Sequence, residues 1–336
     1  MEQRNLGRTG LRVSTLGYGA GAVGGLMVRG TPTEQTRAIA RAIDAGITYF
    51  DTAPGYGDGR SEENLGRALR ELDAWGRVVV GTKVRLRPDD FADPIPAIRR
   101  SCEASLRRLG HDAIDLIQLH NGIRRDATGA TAASGEALPL DAVLGAVTEG
   151  LQRLVADGLA AQIGATGLGD PDATAALARD GRYASIQTYY NALNPSAGAA
   201  GAAGGGQDFA GLLDTAAAHG VGVIVIRPMA AGALGGAVAR HANAGEPGSP
   251  LAGGPGYAHD LARAQALAPL AQELGLESPL ELSLRFVQAN TGVSTVLVGY
   301  SDLAQLKDAL RWTARGPLPP AVVERIIALA RSDAAS

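Results

Sequence analysis

Short, almost wholly apolar runs recur along the chain at 16–20, 48–53, 78–84, 114–121, 160–166, 184–190, 221–227 and 293–299. Most are too apolar to be strands with one wet face, and they fit parallel strands covered on both sides. Helical segments separate them, and several carry start or stop signals. Thr31-Pro32-Thr33-Glu34 is a capping-box pattern with Pro at the first helical position, and the helix it opens is expected to stop at Gly46. Asp93-Pro94 and Asp170-Pro171 read as further helix starts, and Gly158 and Gly275 as helix ends. Eight strands, each followed by a helix, predict an α/β fold of the closed (β/α)8 TIM-barrel type rather than an open doubly wound sheet. An early dinucleotide fingerprint is lacking, because Gly17-Tyr18-Gly19-Ala20-Gly21 leads into a Gly-rich loop and not into a helix. Residues 4–13 read as a small hairpin turning at Thr9-Gly10, ahead of the first barrel strand.

Three stretches break the repeat. Residues 122–138 and the Ala/Gly-rich 196–207 are expected to be long loops after strands four and six, and 229–260 a Gly/Pro-rich insertion after strand seven. Loops that follow strands lie on the C-terminal face of a barrel, so substrate choice is expected to reside in these three. Residues 1–336 are expected to form one domain, and 46% hydrophobic residues suffice for a sizeable core. A net charge of −3 provides no basic field and argues against nucleic acid as a partner. One cysteine, Cys102, leaves no intrachain disulfide or multi-thiolate metal site. No apolar run approaches the ~20 residues that span a bilayer, and the first residues lack a secretory core. The expectation is a soluble, cytoplasmic protein without a membrane partner, its oligomeric state open.

The lysine count changes the picture. The chain has 29 arginines and two lysines, and one of the two, Lys83, ends the run Val78-Val79-Val80-Gly81-Thr82-Lys83. An ammonium is a compact charge on a flexible stem, so a Lys kept at a strand end suggests chemistry a guanidinium cannot supply. Asp51 and His120 end two neighbouring runs, and Tyr56 follows in a turn flanked by Gly55 and Gly57. A phenol is a poor acid near neutrality unless a nearby cation favours its anion. Lys83 can be that cation, Asp51 can hold it charged, and His120 can bond the substrate oxygen or relay the proton.

At these residues the sequence resembles the aldo-keto reductase superfamily over almost its whole length. The resemblance runs through 6–14 (LGRTGLRVS), 49–66 (YFDTAPGYGDGRSEENLG), 81–84 (GTKV), 105–110 (SLRRLG) and 115–120 (DLIQLH), in that order and at those intervals. It implies the same barrel and a catalytic tetrad of Asp51, Tyr56, Lys83 and His120. It also implies a nicotinamide cofactor across the barrel mouth, NADP(H) preferred and NAD(H) possible, with Gly19 and Asp51 beside it. Thr166 and Gln187 match carboxamide-binding positions, with Gly167 in place of an expected amide. Arg227, Pro228, Met229, Gly232 and Leu234 resemble the pyrophosphate loop. Ile226 and Arg227 replace the ring that usually stacks on the nicotinamide, a role that Tyr189 or Tyr190 can take over. Gly299, Ser301, Gln305 and Asp308 resemble the adenosine end, where Lys307 and Arg311 are expected to add donors for a 2′-phosphate.

The expected activity is interconversion of aldehydes, ketones or sugar lactols with alcohols by direct hydride transfer, Tyr56 moving the proton. Two rival readings remain: a Schiff-base aldolase or isomerase with Lys83 as nucleophile, and a nucleotide-binding, redox-sensing subunit without useful turnover. Other residues read as background. His111, His219, His241 and His259 lack metal-ligand spacing and read as solvated. Glu62 and Glu63 read as first-turn acids, Arg99-Arg100 and Arg107-Arg108 as exposed helix faces, and Trp75 and Trp312 as outer packing residues.

Overall fold

In a computed structural model of the chain, residues 1–125, 131–132, 135–236, 239–247 and 256–333 are described. A hairpin comes first, strand β1 (Gln3–Asn5) pairing antiparallel with β2 (Arg12–Ser14). The barrel strands are β3 (Leu16–Gly19), β4 (Tyr49–Asp51), β5 (Val79–Val84), β6 (Ile114–Leu119), β7 (Ala160–Thr166), β8 (Ser185–Tyr189), β9 (Gly222–Ile226) and β10 (Val293–Gly299). All pair in parallel with their sequence neighbours, and β10 closes onto β3. The closed (β/α)8 TIM barrel expected from the apolar runs is therefore the fold.

Two apolar layers hold it. Inside the barrel, Tyr49, Leu116, Ile224 and Leu297 pack on Leu6 and Val13 of the hairpin, which plugs one end. The plug sits close: a Cβ at Gly7 would overlap the backbone of Gly222, the first residue of β9. Outside, side chains such as Phe50, Val80, Ile117 and Ile186 meet the surrounding helices. Burial of this kind supplies about 25 cal/mol per Å² of apolar surface removed from water.

The helices follow their sequence signals with some departures. Helix α1 (Pro32–Asp44) has the full capping box, Thr31 Oγ1 accepting from Glu34 N–H at 3.3 Å and the Glu34 carboxylate accepting from Thr31 N–H at 2.8 Å. After it, Gly46 turns the chain with φ 87°. Helix α2 spans Arg60–Glu71, α3 Pro94–Leu109, α4 Thr148–Ala156 and α5 Pro171–Asp180. Asp93 and Asp170 precede α3 and α5 as expected, but neither side chain caps its helix; Asp170 instead accepts from Arg125 N–H at 3.0 Å. Helices α6 (Leu212–Ala218), α7 (Tyr257–Glu273), α8 (Pro279–Ala289), α9 (Leu303–Ala314) and α10 (Pro320–Asp333) complete the outer layer.

The three irregular stretches behave differently from one another. Within 122–138, Ile123–Arg124 pairs with Leu138–Pro139, while 126–130 and 133–134 lie outside the described residues. The Ala/Gly tract 196–207 is not a lid. Ser196, Ala197 and Ala202 are buried, and Ser196 Oγ donates to Asn194 at 2.6 Å and accepts from Phe209 N–H at 2.9 Å. Small side chains there permit close packing rather than movement. In 229–260, positions 237–238 and 248–255 lie outside the described residues. Among the described residues no helix is long and apolar enough to cross a membrane, and no group of three or more His, Cys, Asp and Glu is placed to hold a metal.

Candidate active site

The C-terminal ends of β4, β5 and β6 bring three of the expected residues together. Asp51 ends β4, Lys83 is the penultimate residue of β5, and His120 directly follows β6. The register that pairs Asp51 with Gly81 and Lys83 with Gln118 sets them side by side. Lys83 is fully buried, its ammonium donating to Asp51 Oδ1 and to the Thr52 carbonyl at 2.8 Å. Tyr56 arrives from the turn after β4, which bends through positive φ at Gly57, Asp58 and Gly59. The ammonium lies 5.0 Å from the Tyr56 ring centroid, and that ring meets His120 edge to face at 5.9 Å.

Sequence reasoning missed the seat beneath Asp51. Its second oxygen, Oδ2, accepts from the Tyr49 hydroxyl at 3.2 Å, Gln118 Nε2 at 3.1 Å and Gln187 Nε2 at 2.6 Å. All three donors are buried, so the carboxylate is stabilised where water is absent. Gly81 makes room, since a Cβ there would overlap the Tyr49 hydroxyl. A Gly in a strand interior that marks a close approach is the signal that could have found this seat.

Electrostatics follow from these contacts. Burial disfavours the Lys83 charge most, yet Asp51 and Tyr56 together outweigh it and hold the ammonium above its ordinary range. Burial also pushes His120 well below the ordinary imidazole range, and the charges of Lys83 and Arg85 push it further, so it is neutral near pH 7. The Tyr49 hydroxyl is driven far up, by burial first and then by the Asp51 charge, and stays a donor.

A cleft of about 1450 Å³ opens over this cluster. Asp51, Tyr56 and His120 reach its wall, whereas Lys83 lies beneath and is not on it. From there the cleft extends past Gly19 and Gly299 to Ser301, Gln305 and Asp308, with Thr166, Gln187, Arg227, Pro228, Met229 and Gly232 along the way. The residues suit a nicotinamide dinucleotide. The Thr166 hydroxyl is buried against the cleft with no partner among the described residues, as a waiting contact for a polar ring substituent would be.

Several expected contacts fall elsewhere. Leu234 is fully buried in the core and off the cleft wall. Tyr189 lies under the Arg227 guanidinium at 5.7 Å and against Phe209, and Tyr190 packs on Phe286; neither lines the cleft, so neither replaces the missing stacking ring. The Ser301 hydroxyl donates to the Gly24 carbonyl at 2.7 Å, Arg311 pairs with Glu277 and Asp308, and Lys307 is exposed away from the wall. Trp312, expected to be outer packing, does reach the cleft, with its Nε1 donating to Glu277 at 3.0 Å. His241 also reaches it and stands 3.5 Å from Asp302, and His111, exposed as expected, stacks one face on Trp75 at 4.1 Å. Glu62 is not a surface acid: it is fully buried, accepting from Thr82 at 2.6 Å and from Arg108 at 2.6 Å. Arg108 is correspondingly half-buried and not a free helix-face charge.

An eight-stranded barrel with this constellation at its mouth defines a class of protein, and the comparisons supply the family. Residues 15–331 match the model of the Aldo/keto reductase family, and the chain belongs to that family. It is 28% identical over 312 residues to L-galactose dehydrogenase of Arabidopsis thaliana, covering 92% of this chain and 86% of that protein. It is 29% identical to a probable voltage-gated potassium channel subunit beta of Oryza sativa subsp. japonica, over 99% of this chain and 97% of that one. Among solved structures, aldo-keto reductase AKR11C1 from Bacillus halodurans in its holo form superposes with a TM-score of 0.70 at 25% identity, over 98% of this chain and 96% of that chain.

Proposed function

We propose that the protein is an NAD(P)H-dependent oxidoreductase that interconverts aldehydes, ketones or sugar lactols with the corresponding alcohols. The observation that carries this reading is the buried Asp51–Lys83 pair beneath Tyr56, at one end of a long cleft that also holds the unpartnered Thr166 hydroxyl. A bound nicotinamide dinucleotide would supply or take the hydride. The chain's own residues handle the rest. Tyr56 gives its hydroxyl proton to the carbonyl oxygen in reduction and recovers it in oxidation. Lys83, kept charged by Asp51, favours the phenolate left behind. His120, neutral and beside Tyr56, bonds the substrate oxygen without competing for that proton. Tyr49, Gln118 and Gln187 hold the Asp51 carboxylate in place by donating to its Oδ2.

For the cofactor we favour NADP(H) over NAD(H). Asp308 on the cleft wall would repel a 2′-phosphate if bare, but Arg311 donates to it at 2.8 Å and offsets its charge. A kcat/KM for NADH about tenfold above that for NADPH would overturn this preference.

The geometry disfavours the Schiff-base reading. A Schiff-base nucleophile must be a neutral amine that reaches the substrate, whereas Lys83 is held charged and lies off the cleft wall. The other rival, a nucleotide-binding subunit without useful turnover, is separated from this reading by turnover itself. Nicotinamide absorbance followed with a panel of aldehydes, aldoses and lactols and both cofactors tests the reading. Steady cofactor consumption with at least one compound is expected; none with any compound would refute it.

A further inference from the structure

The wall of the cleft beside Tyr56 and His120 comes largely from the segments after β4 and β5, including Pro54 to Gly59 and Arg85 to Asp90, and from α3. Among the described residues neither 122–138 nor 196–207 reaches the cleft wall; 229–260 does, through residues such as Met229, Arg240 and His241, and so does the segment after β5. That segment carries two arginines, Arg85 and Arg87, followed by two aspartates, Asp89 and Asp90. Arg85 is the first residue beyond β5 and is exposed, whereas Lys83 within the strand is buried. Arg85 reaches the cleft wall, and its charge is felt at His120. Arg87 follows on the same wall, with Arg100 and Arg108 of α3.

The acids here are largely committed. Glu62 takes Arg108. Asp90 accepts from the Arg87 backbone N–H at 2.9 Å and stands 3.7 Å from Arg100. Asp51 takes Lys83. Asp58 is the remaining carboxylate on this part of the wall. Among the described residues, no acceptor meets the guanidinium of Arg85 or of Arg87. Both are exposed, and both reach the cleft wall that Tyr56 and His120 share. Arginine's planar fork matches carboxylate and phosphate oxygens two at a time.

We propose that Arg85, backed by Arg87, binds an anionic group on the substrate, either a carboxylate or a phosphate ester. The favoured substrates are then short carbonyl compounds carrying that charge a few atoms from the reacting carbon, since Arg85 lines the same cleft as Tyr56 and His120. This inference rests on the oxidoreductase reading and adds its substrate class.

The test is steady-state turnover of two matched pairs, butanal against succinic semialdehyde and glycolaldehyde against glycolaldehyde phosphate, with saturating NADPH. The wild-type, Arg85→Gln and Arg85→Gln/Arg87→Gln chains are compared. In wild type, kcat/KM for the charged member of at least one pair should exceed that of its neutral partner by about tenfold, mainly through KM, as one charge-assisted contact allows. That ratio should fall at least about fivefold in Arg85→Gln and further in the double variant. A response confined to one pair identifies the anion as carboxylate or phosphate. Ratios at or below one in wild type for both pairs, or unchanged in the double variant, would overturn the inference. If none of the four aldehydes consumes cofactor, the broader panel of aldehydes, aldoses and lactols with both cofactors decides the oxidoreductase reading separately. Calorimetric titration with succinate and inorganic phosphate then decides the anion site: binding lost in the double variant supports it, and absent or equal binding overturns it.

Discussion

Lys83 shows how far a single residue type can be followed. A lone lysine at a strand end, in a chain that otherwise prefers arginine, is a signal visible in the sequence, and the structure buries it against Asp51. The space beneath Tyr56 fits an ammonium and not a planar fork, so Lys83→Met and Lys83→Arg should both lose most turnover, by about 10²-fold or more. Near-normal kcat in Lys83→Arg would show that charge alone is what matters. The Glu62 environment was not legible in the same way. A first-turn acid next to Glu63 looks solvated, and only the approach of β5 and α3 turns it into the buried partner of Thr82 and Arg108.

His120 leads to a pH prediction at the same scale. Its folded-state affinity for a proton is depressed, while the unfolded chain binds one near the ordinary value of about 6.5. As pH falls through that value the unfolded state gains a proton the folded state refuses, so stability must decline. Denaturant midpoints between pH 7 and 5 should therefore fall less steeply in His120→Asn than in wild type. Equal slopes would mean that His120 takes up its proton in the folded protein.

Secondary-structure elements were legible wherever the signal was local. Continuous apolar runs located the barrel strands to within a residue or two, and Thr31 to Glu34 marked α1 because the two halves of its cap lie only three residues apart. Contacts between elements were not. Gly66, inside α2, breaks helix propensity for no local reason; in the fold a Cβ there would overlap the Leu109 carbonyl at the end of α3. Gly66→Ala should gain helix propensity yet destabilise the protein by about 2 kcal/mol, because the two helices must separate. A higher denaturation midpoint for Gly66→Ala would contradict this account of the contact.

For the whole molecule, order along the chain carried the barrel and the tetrad positions, because parallel strands deliver their ends to one face whatever the loops do. Loop composition was a partial guide. Of the stretches expected to line the mouth, 229–260 does so through residues such as Met229, Arg240 and His241, whereas 196–207 packs inward and the short arginine-bearing segment after β5 joins the cleft wall. The adenosine end was only half legible, since a backbone carbonyl and neighbouring carboxylates claim Ser301 and Arg311 before any ligand can. The central claim is that Tyr56 moves the proton while the remaining cluster and cleft bind cofactor without it. Removing its hydroxyl isolates that claim, and the decisive measurement is kcat for Tyr56→Phe alongside its NADPH affinity by fluorescence titration. The account predicts a loss of about 10²–10⁴ in kcat with the Kd for NADPH nearly unchanged. Near-normal kcat in Tyr56→Phe would contradict it.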